Sequence, residues 1–162
     1  MTIKTGDHMP EGNFGIMGAN GPESISAQDL FKGRRVVLFS VPGAFTPTCS
    51  AKHLPGFVDH ADELKAKGVD AIACLAVNDT FVMNAWGKSS GCEDKVMMLA
   101  DGNADYTKKL GLELDATGFG MGVRGQRFSL IVNDGVVEQV NIEGPGEFKV
   151  SSAEHALSQL QA

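Results

Sequence analysis

Apolar positions follow two rhythms along the chain: short unbroken runs, and longer stretches in which they return every three or four residues. The first run lies in Arg35–Val41, where Val36-Val37-Leu38-Phe39 is bounded by Lys32-Gly33-Arg34-Arg35 and by Pro42-Gly43. A short apolar run between such boundaries predicts a buried strand. From about Cys49 the rhythm changes. Leu54, Phe57, Val58, Ala61 and Leu64 recur at intervals of three and four, which predicts a helix to about Lys67. Pro55 inside that pattern predicts a late start to regular bonding, or a kink. Gly68 ends the helix, and Val69–Val77 is a second buried strand with Cys74 in its middle.

Asn78-Asp79-Thr80 can cap a helix carrying Phe81, Val82, Ala85 and Trp86. Val96–Leu99 reads as a short strand and Ala104–Leu110 as a helix. Gln126–Val132 and Val136–Ile142 flank Asn133-Asp134-Gly135, a hairpin signal. Ser151-Ser152-Ala153-Glu154 can cap a last helix that turns Ala156, Leu157 and Leu160 to the core. Residues 1–30 are mixed. They show expected turns around Met9-Pro10 and Gly21-Pro22, and a short helix over Ser26–Leu30 capped near Ser24 or Ser26.

A β-α-β-α-β opening followed by a hairpin and a helix implies an α/β fold with a mixed central sheet between helices. Right-handed crossovers make a thioredoxin-like topology a natural solution, though periodicity alone leaves others open. The chain has 162 residues and neither repeats nor a dividing linker, so one domain over residues 1–162 is expected. It is 43% hydrophobic and 21% charged, with a formal charge of -6. That balance argues against a nucleic-acid or acidic-membrane partner, but leaves room for a small anionic cosubstrate at local basic residues. The start, Met1-Thr2-Ile3-Lys4-Thr5-Gly6-Asp7, lacks the apolar run of a secretory signal, and no segment approaches ~20 consecutive apolar residues. Cytoplasm is the default expectation.

Three cysteines and four scattered histidines suit neither a disulfide framework nor a structural zinc module. Cys49 stands apart. It follows Pro42-Gly43-Ala44-Phe45-Thr46-Pro47-Thr48, where a strand turns into a helix, and an exposed thiol is expected there. Free amide hydrogens and the positive helix end favour a thiolate. Pro42 and Pro47 stiffen the turn, Gly43 lets it bend, and the hydroxyls of Thr46 and Thr48 can bond a polar reactant. Attack on a peroxide needs such a thiolate, aligned with the O–O bond and backed by donors, and yields a sulfenic acid.

Cys74 is expected to be buried, as a core cysteine or a resolving thiol; Cys92, after Ser89-Ser90-Gly91, is expected in an exposed turn. Arg124 and Arg127 are both open to a ligand role. Lys52 and His53, one helical turn beyond Cys49, read as surface or packing groups.

Two tempting motifs fail. Gly120-Met121-Gly122-Val123-Arg124-Gly125 fits GxGxxG but precedes a strand, whereas a dinucleotide fingerprint follows one and opens a helix; a flexible loop is the better reading. Cys49 is followed by Ser50-Ala51-Lys52, so there is no Cys-x-x-Cys pair for disulfide exchange.

With these residues in place, the chain resembles an atypical peroxiredoxin of the peroxiredoxin-5 group, which includes the plant type II enzymes. The likeness covers almost the whole chain. It rests on Val36–Cys49, His53-Leu54-Pro55-Gly56-Phe57, Val77–Trp86, Leu99-Ala100-Asp101-Gly102, Leu110–Asp115 and Arg127-Phe128-Ser129-Leu130. The resemblance implies a thioredoxin fold and a thiol-dependent peroxidase that reduces hydrogen peroxide or alkyl hydroperoxides without metal, haem or other cofactor. It places the peroxidatic cysteine at Cys49, the shielding residue at Pro42, the peroxide-binding hydroxyl at Thr46 and the family arginine at Arg127. Cys74 matches a second cysteine whose role differs among members. Some form an internal disulfide, and others use glutathione, glutaredoxin or thioredoxin. No cysteine follows Cys92, so the animal-type C-terminal resolving route has no counterpart. A homodimer is also implied, with Phe45 and Phe81 able to face the contact.

Overall fold

The computed structural model describes residues 2–160. Its centre is a mixed sheet of seven strands: β1 (Asn13–Gly18), β2 (Gly21–Ser26), β3 (Arg35–Ser40), β4 (Ala71–Ala76), β5 (Met97–Ala100), β8 (Phe128–Asn133) and β9 (Val136–Ile142). Their spatial order is β2-β1-β5-β4-β3-β8-β9. The pairs β3–β4 and β4–β5 are parallel, and the remaining pairs are antiparallel. This is a thioredoxin-like α/β arrangement with helices on both faces.

Strand alternation divides the core in two. On β3, Val37 and Phe39 face one side while Val36 and Leu38 face the other; on β4, Ile72, Cys74 and Ala76 join the first set. That first face packs under α2 (Leu54–Asp59), α3 (Ala61–Ala66), α4 (Thr80–Ser89) and α6 (Ala153–Gln159). The second face packs under α1 (Ala27–Phe31) and α5 (Asp105–Leu110). Both faces of β4 are buried, which is why its sequence is apolar throughout. Caps fall where the hydroxyl and carboxylate side chains lead: Ser26 accepts from Asp29 N–H, Asp79 from Val82 N–H and Ser152 from His155 N–H.

Three expectations change. The N-terminal segment holds a hairpin, β1–β2, whose turn is Ala19-Asn20; Gly21-Pro22 opens β2 instead of making the turn. Pro22 is tolerated because β2 is the sheet edge, where a missing N–H costs no ladder bond. No turn forms at Met9-Pro10, which follows an isolated bridge from His8 to Val136. The long helix after Cys49 is broken. Cys49–His53 form a π-helical turn closed by Leu54 N–H donating to Cys49 O, then α2 and α3 follow with a bend at His60. Pro55 lacks the N–H that would bond Ala51 O, and the wider turn accommodates its ring.

The GxGxxG stretch is also more ordered than a loop. Val123–Gly125 form β7, paired antiparallel with β6 (Glu113–Asp115), and no helix follows it.

Candidate active site

The segment between β3 and the π-helical turn is pinned from several sides. Ala44 N–H donates to the Asn78 side chain at 2.9 Å, and Thr46 N–H and hydroxyl both reach Gly43 O, at 3.4 and 2.8 Å. Arg124 donates from Nη1 to Pro42 O (3.3 Å) and from Nε to Met121 O (2.9 Å). A side chain at Gly43 would meet Arg124 Nη1 at 2.8 Å, so only glycine leaves room for that approach. Phe45 takes a left-handed φ of 64°, a conformation that costs energy for a large side chain and is retained by these surrounding bonds.

This segment delivers Cys49 into the first turn of helix, but the sulfur is not exposed as expected. Cys49 is fully buried, in the same apolar cluster as Phe39, Val41 and Cys74. The π-helical turn and the hydrophobic face above β3 together draw it inward. Thr48 makes no side-chain cap either; its backbone is already helical.

Arg127, just before β8, donates from Nη2 to Cys49 Sγ at 3.1 Å and from Nη1 to His53 Nδ1 at 2.8 Å. The opposite ring nitrogen of His53, Nε2, lies 2.9 Å from Ser151 O. A carbonyl only accepts, so Nε2 carries the hydrogen and Nδ1 is left as the acceptor Arg127 needs. Burial, reinforced by the Arg127 charge, lowers the His53 pKa to about 3, so the ring is neutral. Its plane is held among Phe39, Phe57 and Phe148, with centroids 4.8, 5.7 and 4.9 Å away. Phe148 also lies 5.9 Å from the Arg127 guanidinium carbon.

His53 was therefore misread as a surface or packing group. It stands four residues after Cys49, and that spacing on a helix is the signal that puts two side chains on one face. Lys52 instead lines an adjoining cavity of about 450 Å³, together with Pro42, Thr48, Arg127, Glu143 and Phe148.

Thr46 is half-buried with its hydroxyl hydrogen committed to Gly43 O, so its oxygen is free to accept a bond from a reactant's O–H. The structure thus brings Arg127 into direct contact with both Cys49 and His53, with Thr46 and Pro42 on the adjoining segment. Cys74 is fully buried mid-strand, and burial drives its pKa well above the ordinary thiol value. Cys92 is not in an exposed turn: it is 1% exposed, and burial pushes its pKa up to about 11. The side chain tucks under α4 while its neighbours Gly91 and Glu93 remain exposed.

Residues 4–157 match the Redoxin family model. Peroxiredoxin-2B of Arabidopsis thaliana is 50% identical over 159 residues, covering 98% of both chains. The chain belongs to the peroxiredoxin family. This peroxiredoxin resembles type II members throughout its length and is a thiol peroxidase by class. It is also 50% identical over 164 residues to a chloroplastic peroxiredoxin-2E-2 of Oryza sativa subsp. japonica, covering 98% of this chain and 73% of the relative. Reduced Prx3 of Vibrio vulnificus, solved in complex with hydrogen peroxide, superposes with a TM-score of 0.96 at 49% identity, over 99% of this chain and all of that one.

Proposed function

We propose that Cys49 is the peroxidatic thiol, that it reduces hydrogen peroxide and alkyl hydroperoxides, and that an external thiol restores it. The observation that carries this reading is the Arg127 fork, which touches Cys49 Sγ with one nitrogen while neutral His53 holds the other. The Cys49 thiolate attacks one peroxide oxygen and the O–O bond breaks. The sulfur becomes a sulfenic acid, and the departing oxygen takes a proton and leaves as water or an alcohol. Arg127 supplies positive charge where the oxygens carry negative charge, and the Thr46 oxygen accepts from the peroxide O–H and so orients it. Pro42, at the cavity wall, limits access of water to the sulfur.

The sulfenic acid then condenses with a thiol, releasing water, and a second thiol frees Cys49 as the thiol while a disulfide leaves. An external donor, glutathione with glutaredoxin or thioredoxin, fits because the raised pKa and strand position of Cys74 leave it a poor attacker in this conformation. Lys52 and Arg127 at the cavity give a small anionic thiol two cations to approach. An internal Cys49–Cys74 disulfide is the second reading, favoured by the place of both side chains in one buried cluster. Intact mass after one equivalent of peroxide separates the two. A two-dalton loss seen in wild type and C92S but not in C74S supports the internal bridge, and a sulfenic acid or glutathione adduct in wild type supports the external donor.

We also propose a homodimer through the apolar side chains beside this site, since Phe45 and Phe81 are 54% and 66% exposed. Sedimentation of wild type against F45E/F81E tests it, with a monomeric wild type as the contrary result. The cytoplasm remains our proposed location, tested by fractionation.

A further inference from the structure

The hydrogen bonds around Arg127 close into a ring whose far side is an acidic residue. Glu143 follows β9, and its N–H donates to Arg127 O at 3.0 Å, so the two residues are locked opposite each other. The Glu143 side chain then turns back. Its Oε2 accepts from Lys149, Val150 and Ser151 N–H at 2.7, 2.9 and 2.8 Å, and from the Ser151 hydroxyl at 2.7 Å. Four donors on one oxygen fix the last turn of the 144–151 loop. The Ser151 carbonyl in that turn takes the His53 Nε2 hydrogen, and His53 Nδ1 takes Arg127 Nη1. The circuit runs from Arg127 main chain to Arg127 guanidinium through Glu143, Ser151 and His53.

Glu143 is only 8% exposed, and a carboxylate so placed is kept charged by its partners or not at all. Burial opposes its charge, yet the bonds from Ser151, Lys149 and Val150 outweigh it and leave the carboxyl pKa below the ordinary value. Holding a loop is one use for such a group. The ring supplies another, because the atom at the end of the held loop decides the tautomer of His53. Were Ser151 O to drift, the ring hydrogen could move to Nδ1, where it would face Arg127 Nη1 donor to donor. Arg127 would then lose the bond that leaves Nη2 pointed at the sulfur.

We propose that Glu143 is a positioning residue for peroxide reduction: by holding Ser151 it fixes the Nε2–H tautomer of His53, and through it the aim of Arg127 at Cys49. This inference rests on the peroxidase role of Cys49 and concerns a residue outside the motif around it.

The test is a double-mutant cycle on single-turnover oxidation of Cys49 by hydrogen peroxide, with folding verified by circular dichroism. E143A slows the reaction about tenfold or more in the otherwise wild-type chain, because displacing the guanidinium by about an ångström misaligns the donors. In an R127A background the same change costs less than about twofold, since the group it positions is gone. Nitrogen NMR of His53 shows the Nε2–H tautomer in wild type and a mixture in E143A. If E143A does not fold, E143Q takes its place in both backgrounds, with an expected loss of about threefold in the first and none in the second. Equal losses in the two backgrounds, no loss in either, or an unchanged tautomer would overturn the proposal. An inactive C49S beside a fully active E143A sinks only this inference; an active C49S sinks the peroxidase role itself.

Discussion

The neutral, buried His53 makes a quantitative demand on stability. In the unfolded chain its ring takes a proton near the ordinary value of 6.5, whereas in the folded chain burial and the Arg127 charge hold it to about 3. The folded-state value lies below the unfolded one, so between them the unfolded chain binds the proton. Stability is therefore full above about pH 6.5 and falls as pH drops toward 3. At pH 5 the unfolded ring sits about 1.5 pH units below its pKa, and at roughly 1.4 kcal/mol per unit the folded state loses about 2 kcal/mol. That is a large fraction of a total stability of ~5–15 kcal/mol. The size at pH 5 is set by the unfolded ring alone, because the folded ring stays neutral there.

Urea unfolding at pH 7.5 and pH 5 measures the loss in wild type and in H53Q, whose amide can donate to Ser151 O and accept from Arg127. Other carboxylates and histidines contribute equally to both chains, so the difference isolates His53. We expect wild type to lose about 2 kcal/mol more than H53Q over this interval. Equal losses would refute the neutral buried histidine, as would a His53 ring that becomes protonated above pH 5 in a direct NMR titration of wild type.

Other consequences follow from the same contacts. R127K leaves a charge but not a fork that can hold His53 and Cys49 together, so single-turnover peroxide reduction should fall about 100-fold with the fold intact; a loss below threefold would count against the fork. T46V should slow the same step at least tenfold or so, while T46S, which keeps the oxygen, stays within a few fold in the same stopped-flow assay. Because burial raises the pKa of both Cys74 and Cys92, a short alkylation pulse at pH 7.5 should leave them unlabelled until the chain is unfolded. Rapid native labelling of Cys74, read by peptide mass, would contradict its burial.

Much of the sheet was legible because buried strands announce themselves as runs. Val36–Phe39 and the Val69–Val77 segment needed no tertiary context, and Asn133-Asp134-Gly135 fixed the hairpin through Asp134 and Gly135, with left-handed φ of 50° and 80°. The β1–β2 edge hairpin was not legible. Its residues are mostly half-exposed and carry Glu23 and Ser24, so neither alternation nor apolar density marks it. Cys49 was found from its place at the start of a helix, but its burial was not, since the depth of a side chain depends on what packs above it. The π-helical turn that carries it arises where Pro55 meets the helix.

Arg127 rose above Arg124 only through family likeness, because both lie in one short stretch and only the fold shows which reaches sulfur. The structure gives Arg124 a different task, holding Pro42 and the Gly43 turn. His53 and Glu143 were missed because their partners, Ser151 and Arg127, are far away in sequence. Beyond the four-residue spacing of Cys49 and His53, a hydrogen-bond ring assembled from separate elements leaves no periodic trace.

The most direct test of the account is single-turnover stopped-flow oxidation with one equivalent of hydrogen peroxide, on wild type, C49S and C74S, followed by mass analysis of the product. Wild type and C74S should react rapidly and gain one oxygen, or its thiol adduct, at Cys49, while C49S, folded by circular dichroism, reacts at least about a thousandfold more slowly. Fast peroxide reduction by folded C49S would contradict the central claim that Cys49 is the reacting atom.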